Sequence, residues 1–223
     1  WRVAVTDGEA PLLFNMLVLL PRREAPAPLI VMQNFCGNRA AFYDTPEAIT
    51  GPLTEVLWVC DAPWTMPLVE AVFGRHIAVP PYETILSRGY GLAMFYAGDI
   101  VADEPEAARA ALTRLYGADA DSVGAIAVWA WAYARAYDVL AQDARIDAER
   151  IATWGHSRNG KAALYAAALD PRFAAVIAHQ SGRGGASLSS GSEGESVARI
   201  TRDYPHWFAP AFARAPSRPE MDQ

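Results

Sequence analysis

The hydrophobic positions of this chain fall into short apolar runs separated by longer segments of helical spacing. Leu12 to Leu20 is apolar and stops at Pro21, as a strand should. A charged, proline-rich turn follows, Arg22 to Pro28, and Leu29 to Met32 reads as a short buried strand. Residues 36–82 are rich in Pro, Trp and Gly without a clear period and predict an irregular excursion. Glu83 to Ser87 predicts a short helix and Leu92 to Tyr96 a strand. Helical spacing returns over 103–116, between acidic turns. Val123 to Leu140 is apolar nearly all round, the mark of a helix buried on most faces. Asp147-Ala148-Glu149-Arg150 then leads into an apolar strand, Ile151 to Trp154. An alanine-rich helical segment, Ala162 to Leu169, comes next, and a strand over Phe173 to His179. This order of strands and helices predicts an α/β fold, a parallel sheet with helices on both faces. No repeat or interdomain linker interrupts it, so 1–223 reads as one domain. The tail from Ala213, with Pro216 and Pro219, is expected to be poorly ordered.

Composition changes this picture little. Of 223 residues, 52% are hydrophobic and 20% charged, an ordinary globular balance. A net charge of −6 argues against nucleic acid or an anionic membrane as partner. No apolar run reaches the roughly 18 residues of a membrane span. The chain begins at Trp1 with no signal-peptide pattern, and is expected to be a mature form or a fragment. Cys36 and Cys60 could pair or stay as two core thiols, and the sequence leaves both open.

The segment Gly155-His156-Ser157-Arg158-Asn159-Gly160-Lys161 carries the chemistry. It joins an apolar strand to a helix, and a serine at such a turn is a nucleophile elbow. Small residues at 155 and 160 let the backbone fold tightly around an exposed hydroxyl. Free N–H groups and the positive end of the new helix lie beside it. The lipase spacing Gly-x-Ser-x-Gly is not met, because Asn159 stands at the second glycine position. Ser157 is therefore the candidate nucleophile, and the plainer reading is an ordinary strand–helix turn. Arg158 follows it, with a backbone N–H placed for an oxyanion hole. Lys161, four residues on, shares the helix face with Ser157, where a solvated lysine is the ordinary expectation.

A serine needs a base, and the chain has four histidines. His76 sits in the irregular region, His156 is locked in the elbow, His179 ends a strand, and His206 lies in a Pro-His-Trp-Phe block. None is nominated as base. Asn34 to Asn38 occupies the loop where hydrolases of this type supply a second oxyanion donor; it could equally be a turn whose asparagines tie down backbone. Gly182 to Gly185 lacks a phosphate-loop signature and reads as a tight loop near the site. No metal cluster or dinucleotide motif is present in the sequence.

Four blocks together resemble the glucuronoyl esterases, carbohydrate esterase family 15, above all the bacterial branch. The first is Ser157 to Lys161. The second is Arg88-Gly89-Tyr90-Gly91-Leu92-Ala93 with Tyr96-Ala97-Gly98-Asp99-Ile100. The third is Gly124-Ala125-Ile126 with Trp129-Ala130-Trp131. The last runs from Gln180-Ser181-Gly182 through Gly194-Glu195-Ser196-Val197 to Tyr204-Pro205-His206-Trp207-Phe208. The blocks stand in the family's order over roughly residues 10–210.

The resemblance implies a three-layer α/β-hydrolase sandwich and hydrolysis of 4-O-methyl-glucuronoyl esters that link glucuronoxylan to lignin alcohols. It implies that the Arg158 side chain also reaches the oxyanion, and that Lys161 and Glu195 contact the uronate. It implies no cofactor and no metal, a His206 that serves the scaffold, and a secreted or periplasmic setting. The acid departs from the pattern: fungal relatives carry glutamate where this chain has Gln180, which cannot balance an imidazolium charge. Counted against the family, the last two strands and the histidine loop are expected beyond Gln223. Runner-up readings are an acetylxylan or other carboxylesterase of the same fold, and a silent carbohydrate-binding relative.

Overall fold

The computed structural model describes residues 1–6, 12–42, 47, 49, 65–74, 76–188 and 194–214. A single mixed sheet runs through it. Its strands are β1 (Arg2–Val5), β2 (Leu12–Leu19), β3 (Ala27–Asn34), β4 (Gly91–Tyr96), β5 (Ile146–His156) and β6 (Ala175–His179), in the spatial order β1-β2-β4-β3-β5-β6. Helices α1 (Gly37–Ala40), α2 (Met66–Phe73), α3 (Tyr82–Ser87), α4 (Pro105–Tyr116), α5 (Ala125–Leu140), α6 (Arg158–Leu169) and α7 (Val197–Asp203) accompany it.

Strands β4, β3, β5 and β6 are mutually parallel, whereas β2 runs antiparallel to β4 and β1 antiparallel to β2. The expected mainly parallel sheet is found, with its antiparallel strands confined to that flank. β1 escaped the sequence because four residues with only Val3 buried leave no pattern to read. The β5 strand also begins earlier than its apolar run. Ala27 pairs with Ile146 and Leu29 with Ile151, so Asp147 to Arg150 bulge out of the ladder. In the bulge the Arg150 guanidinium bonds the Asp147 carboxylate.

Alternation across the strands sorts side chains into two cores. On one face Phe14, Met16, Val31, Ala93, Phe95 and Ile151 pack against α4, α5 and α6. On the other, Met32, Leu92 and Met94 pack with Ala41, Phe42, Tyr82 and Ile85 from the α1 and α3 side. The result is the expected three layers. Central β3 is buried nearly throughout, as its unbroken apolar run requires.

Helix α5 explains its all-round apolarity. Trp129, Tyr133 and Leu140 face the sheet, while α6 lays its own Ala162, Ala163 and Ala166 into the same core. Small side chains allow that close approach. Helix α4 begins at Glu104, whose carboxylate accepts from the N–H groups of Glu106 and Ala107, with Pro105 in the first turn. At the far side β6 forms the sheet edge, with Val176 and Ile177 exposed. Phe173 is not in the strand; its ring packs edge-on against Tyr137. Cys36 is disulfide-bonded, which removes the free-thiol reading for it. Of the 36–82 segment expected to be irregular, the described part holds helices α1 and α2, and Ala213 and Arg214 of the expected tail close a 3-10 turn, Pro210–Arg214. Cys60, most of residues 43–64 and residues 215–223 lie outside the described residues. No helix among the described residues is long and apolar enough to cross a membrane.

Tyr133 ties α5 to the two strands that frame the elbow. Its fully buried hydroxyl accepts from the Gln33 N–H at 3.2 Å and donates to the Trp154 carbonyl at 2.7 Å. Removing the hydroxyl leaves both groups short of a partner. Tyr133→Phe should therefore lower unfolding free energy by about 2 kcal/mol in urea titration, with an unchanged far-UV spectrum. A loss below roughly 0.5 kcal/mol would show that the hydroxyl is replaceable.

Candidate active site

The C-terminal ends of β3, β4, β5 and β6 converge on one rim, and every candidate residue lies there. At the end of β5 the chain turns sharply through Ser157, which has φ 54° and ψ −120°. A positive φ on a non-glycine residue is costly, and such outliers persist only where neighbours over-determine them. Here the constraints can be named. The Ser157 N–H donates to the His179 carbonyl at 2.9 Å, and its own carbonyl accepts the first helical bond from Lys161 at 3.0 Å. A Cβ on Gly155 would sit 2.1 Å from the Asn159 carbonyl oxygen. One on Gly160 would sit 2.9 Å from the Gly155 oxygen and 3.0 Å from the His179 oxygen. Both glycines are thus required by close backbone approach.

The departure at Asn159 has a physical reason. Its side chain is buried and donates to the Gln33 carbonyl at 3.3 Å, the last turn of β3 toward the rim. The need for a residue without a side chain falls one place later, on Gly160. Asn159 therefore locks the elbow to the neighbouring strand.

The Arg158 side chain packs on Phe35, the residue that follows β3. Its guanidinium lies 4.5 Å from the Phe35 ring centroid and 5.7 Å from that of Trp207. Its Nε is ion-paired to Asp103 Oδ2. Asp103 Oδ1 accepts from Trp207 Nε1 at 2.6 Å and from His206 Nε2 at 2.9 Å. Burial works against the Asp103 carboxylate, but the His206 and Trp207 hydrogen bonds and the Arg158 charge prevail and hold its pKa below the usual 3.8. This junction was not anticipated. Asp103 stands just past the Gly-Asp-Ile block, where an acid before a helix reads as a cap.

Lys161 is not the solvated helix lysine of the plainer reading. It is 4% exposed, its ammonium donates to the Ser181 carbonyl, and it lies 5.9 Å from the Trp207 ring centroid. Burial lowers its pKa to about 8, with Glu195 opposing the shift and Arg158 adding to it. Glu195 is half-buried one residue before the Ser196 cap of α7, and its carbonyl accepts from Arg183 Nε at 2.9 Å. The structure thus brings Lys161 and Glu195 into one electrostatic neighbourhood, with Trp207 on the lysine's side of it.

The histidines separate cleanly. His206 is buried on Asp103, as a scaffold residue. His76 Nδ1 pairs with the Val79 carbonyl at 3.1 Å. His156 and His179 meet each other, Nδ1 to Nδ1, at 3.0 Å. Burial lowers the His156 pKa, and His179 and Arg158 lower it further. Among the described residues, none of the four is hydrogen-bonded to the Ser157 hydroxyl. Gln180 ends β6 at φ 47° and is exposed. At the end of β3 Asn34 ties to the Ala78 carbonyl and the Cys36 N–H, and in α1 Asn38 ties to the Asn15 carbonyl. These asparagines secure backbone, the second of the two readings offered for them. Gly182 to Gly185 form a tight turn packed on Ser181 and Phe208, beside Lys161. Among the described residues no three His, Cys, Asp or Glu side chains group as metal ligands.

Residues 61–218 match the family model for fungal glucuronyl esterases. The chain belongs to the glucuronyl esterase family. Carbohydrate esterase MZ0003, from an unknown prokaryotic organism, is 40% identical over 135 residues, covering 58% of this chain and 31% of that protein. The 4-O-methyl-glucuronoyl methylesterase 1 of Sodiomyces alcalophilus is 37% identical over 137 residues, covering 56% and 27%. Among solved structures, a promiscuous CE15 esterase from a marine bacterial metagenome superposes with a TM-score of 0.76 at 29% identity, covering 96% of this chain and 54% of that one. The glucuronoyl esterase of Solibacter usitatus gives 0.76 at 28%, covering 97% and 56%. The chain therefore spans about a third of the length of the curated relatives and about half of the solved ones. Its α/β-hydrolase fold is the fold of these glucuronoyl esterases.

The strain at the elbow is measurable. Ser157→Gly should raise unfolding free energy by about 1 kcal/mol, the relief of a positive φ less the extra freedom of glycine in the unfolded chain. Ser157→Ala keeps its Cβ, and with it the strain, and should gain nothing. Equal stability of the two variants in urea would show that the elbow is relaxed.

Proposed function

We propose that the protein carrying this chain is a serine carboxylic ester hydrolase acting on 4-O-methyl-glucuronoyl esters. The observation that carries the reading is the constrained elbow of Ser157, with Arg158 beside it and buried Lys161 one helical turn on, in a chain of the glucuronyl esterase family. Ser157 Oγ attacks the uronate carbonyl carbon, its proton passes by way of a base to the departing alkoxide so that the alcohol leaves, and water then cleaves the acyl-enzyme to the free uronate and the serine hydroxyl. The Arg158 N–H and guanidinium stabilise the oxyanion, where positive charge in a partly dry site is most effective. Lys161 and Glu195 hold the uronate ring through its hydroxyls, with the Trp207 indole beside the lysine. The relatives named as 4-O-methyl-glucuronoyl methylesterases support this substrate class. The natural ester in this reading joins glucuronoxylan to lignin, and a secreted or periplasmic setting goes with the family likeness.

Ser157→Ala should slow benzyl glucuronate hydrolysis by at least ~10³-fold, leaving only oxyanion and binding effects. Near-normal turnover would remove Ser157 from the mechanism, and a wild-type protein that cleaves aryl acetates but no glucuronate ester would favour the acetylesterase reading instead.

Lys161 gives a pH test. With a pKa of about 8 it is an ammonium below that pH and loses its proton as pH rises through it. KM for the glucuronate ester should climb by roughly three- to tenfold between pH 7 and 9 as one charge-assisted hydrogen bond is lost. KM for p-nitrophenyl acetate should stay flat, and Lys161→Arg should abolish the pH dependence. A glucuronate KM that ignores pH would take the ammonium out of sugar binding.

A further inference from the structure

Three donors from two distant stretches of chain meet on one carboxylate. Asp103 lies between the 3-10 turn Ala97–Asp99, which follows β4, and the cap of α4. Its Oδ1 takes the Trp207 and His206 N–H groups, and its Oδ2 takes Arg158 Nε. His206 is nearly buried, and the Asp103 side chain is 21% exposed. The carboxylate is therefore fixed on one oxygen by the scaffold and offers the other to the arginine. Phe35 covers a face of the same guanidinium.

An arginine on the first turn of a helix carries about 2 kcal/mol of rotamer freedom. A group that stabilises a developing oxyanion must be in place before the charge forms, or its ordering opposes the reaction. A helix N-terminus also repels a cation, so Arg158 needs a counter-charge to stay there. Asp103 supplies both the placement and the charge. It binds the Nε edge, and the guanidinium fork has further N–H groups beyond that edge.

We propose that Asp103 is the positioning residue of this site: held by His206 and Trp207, it sets the Arg158 guanidinium beside Ser157 for the oxyanion. The inference rests on the oxyanion role given to Arg158 above. It also gives the Pro-His-Trp-Phe block a function, since His206 and Trp207 then act on chemistry through Asp103.

Asp103→Asn keeps the shape and, with its one oxygen on Trp207 and His206, turns an amide N–H donor toward Arg158 in place of the carboxylate oxygen. On an ester the wild type cleaves, kcat should fall by about 10²-fold, the scale of losing one oxyanion donor, with KM within about threefold. In an Arg158→Ala background the same change should cost less than about threefold, because no guanidinium remains to be placed. Equal kcat losses in both backgrounds would make Asp103 a plain structural residue and overturn the proposal. A second readout needs no turnover. The Arg158 Nε–Hε NMR signal, assigned by its loss in Arg158→Lys, should exchange with water at least ~10-fold faster in Asp103→Asn, as befits loss of a charge-assisted hydrogen bond. An unchanged exchange rate overturns the positioning role. A wild-type protein with protected Arg158 but no ester hydrolysis would instead sink the catalytic reading while leaving the Asp103–Arg158 placement standing.

Discussion

The backbone conformation of Ser157 is the constraint on which the rest of this structure depends. Left-handed geometry at a serine is unfavourable by about 1–3 kcal/mol, and nothing local repays it. It is imposed from three sides. The His179 carbonyl fixes the N–H from β6, the Asn159 amide fixes the next turn to β3, and Gly155 and Gly160 remove the atoms that would block the approach. A strand on each side of β5 must therefore be in register for the elbow to exist. The parallel centre of the sheet is thus the device that holds one hydroxyl at its rim.

Gln33 shows how far that coupling reaches. Its N–H donates to Tyr133, its side-chain amide donates to the Trp129 carbonyl at 2.6 Å, and its carbonyl accepts from Asn159. One residue of β3 thus links the buried helix α5 to the elbow. Tyr133 closes the circuit by donating to Trp154, three residues before the serine. Buried polar groups of this kind are costly unless satisfied, and satisfied they select one arrangement over its near neighbours. A shift of β3 by one residue would break several of these bonds at once and turn its apolar side chains to the wrong faces.

The legibility of the sequence follows from the range of the interactions. Leu12–Leu19, Gly91–Tyr96 and Ala125–Leu140 were readable because burial writes itself as local period and run length. The elbow was readable because glycines, a serine and a strand–helix switch lie within seven residues. β1 was not, being four residues that depend on β2 for pairing. Asp103, Gln33 and Phe35 were not, because what they do is defined by partners 50 to 130 positions away. A lone aspartate before a helix carries the same local signal whether it caps a turn or holds an arginine. The bulge in β5 was hidden by the charged residues that form it. The burial of Lys161 was not legible: its spacing gives direction, but only the packing of α6 with Ser181 and Trp207 decides how buried it is.

Charge placement around α6 breaks a local rule in a telling way. Helix starts favour acids, yet the first turn of α6 has none and carries Arg158 and Lys161, both beside the positive end of the helix. Each cation is stabilised by a carboxylate borrowed from elsewhere, Asp103 for Arg158 and Glu195 for Lys161. The two carboxylates come from different segments, so the site assembles only when the α4 cap and the α7 entry have docked on the elbow. Local rules are broken at functional sites and compensated by tertiary contacts. Here the compensation leaves the start of the helix that carries the serine with backbone N–H groups, a helix dipole and two cations, all of one sign. Such a field does little for a neutral ester and much for the negative charge that forms when its carbonyl is attacked. In the proposed function, the stability given up at the elbow and at two cations on a helix start is offset by selectivity for a transition state over a ground state.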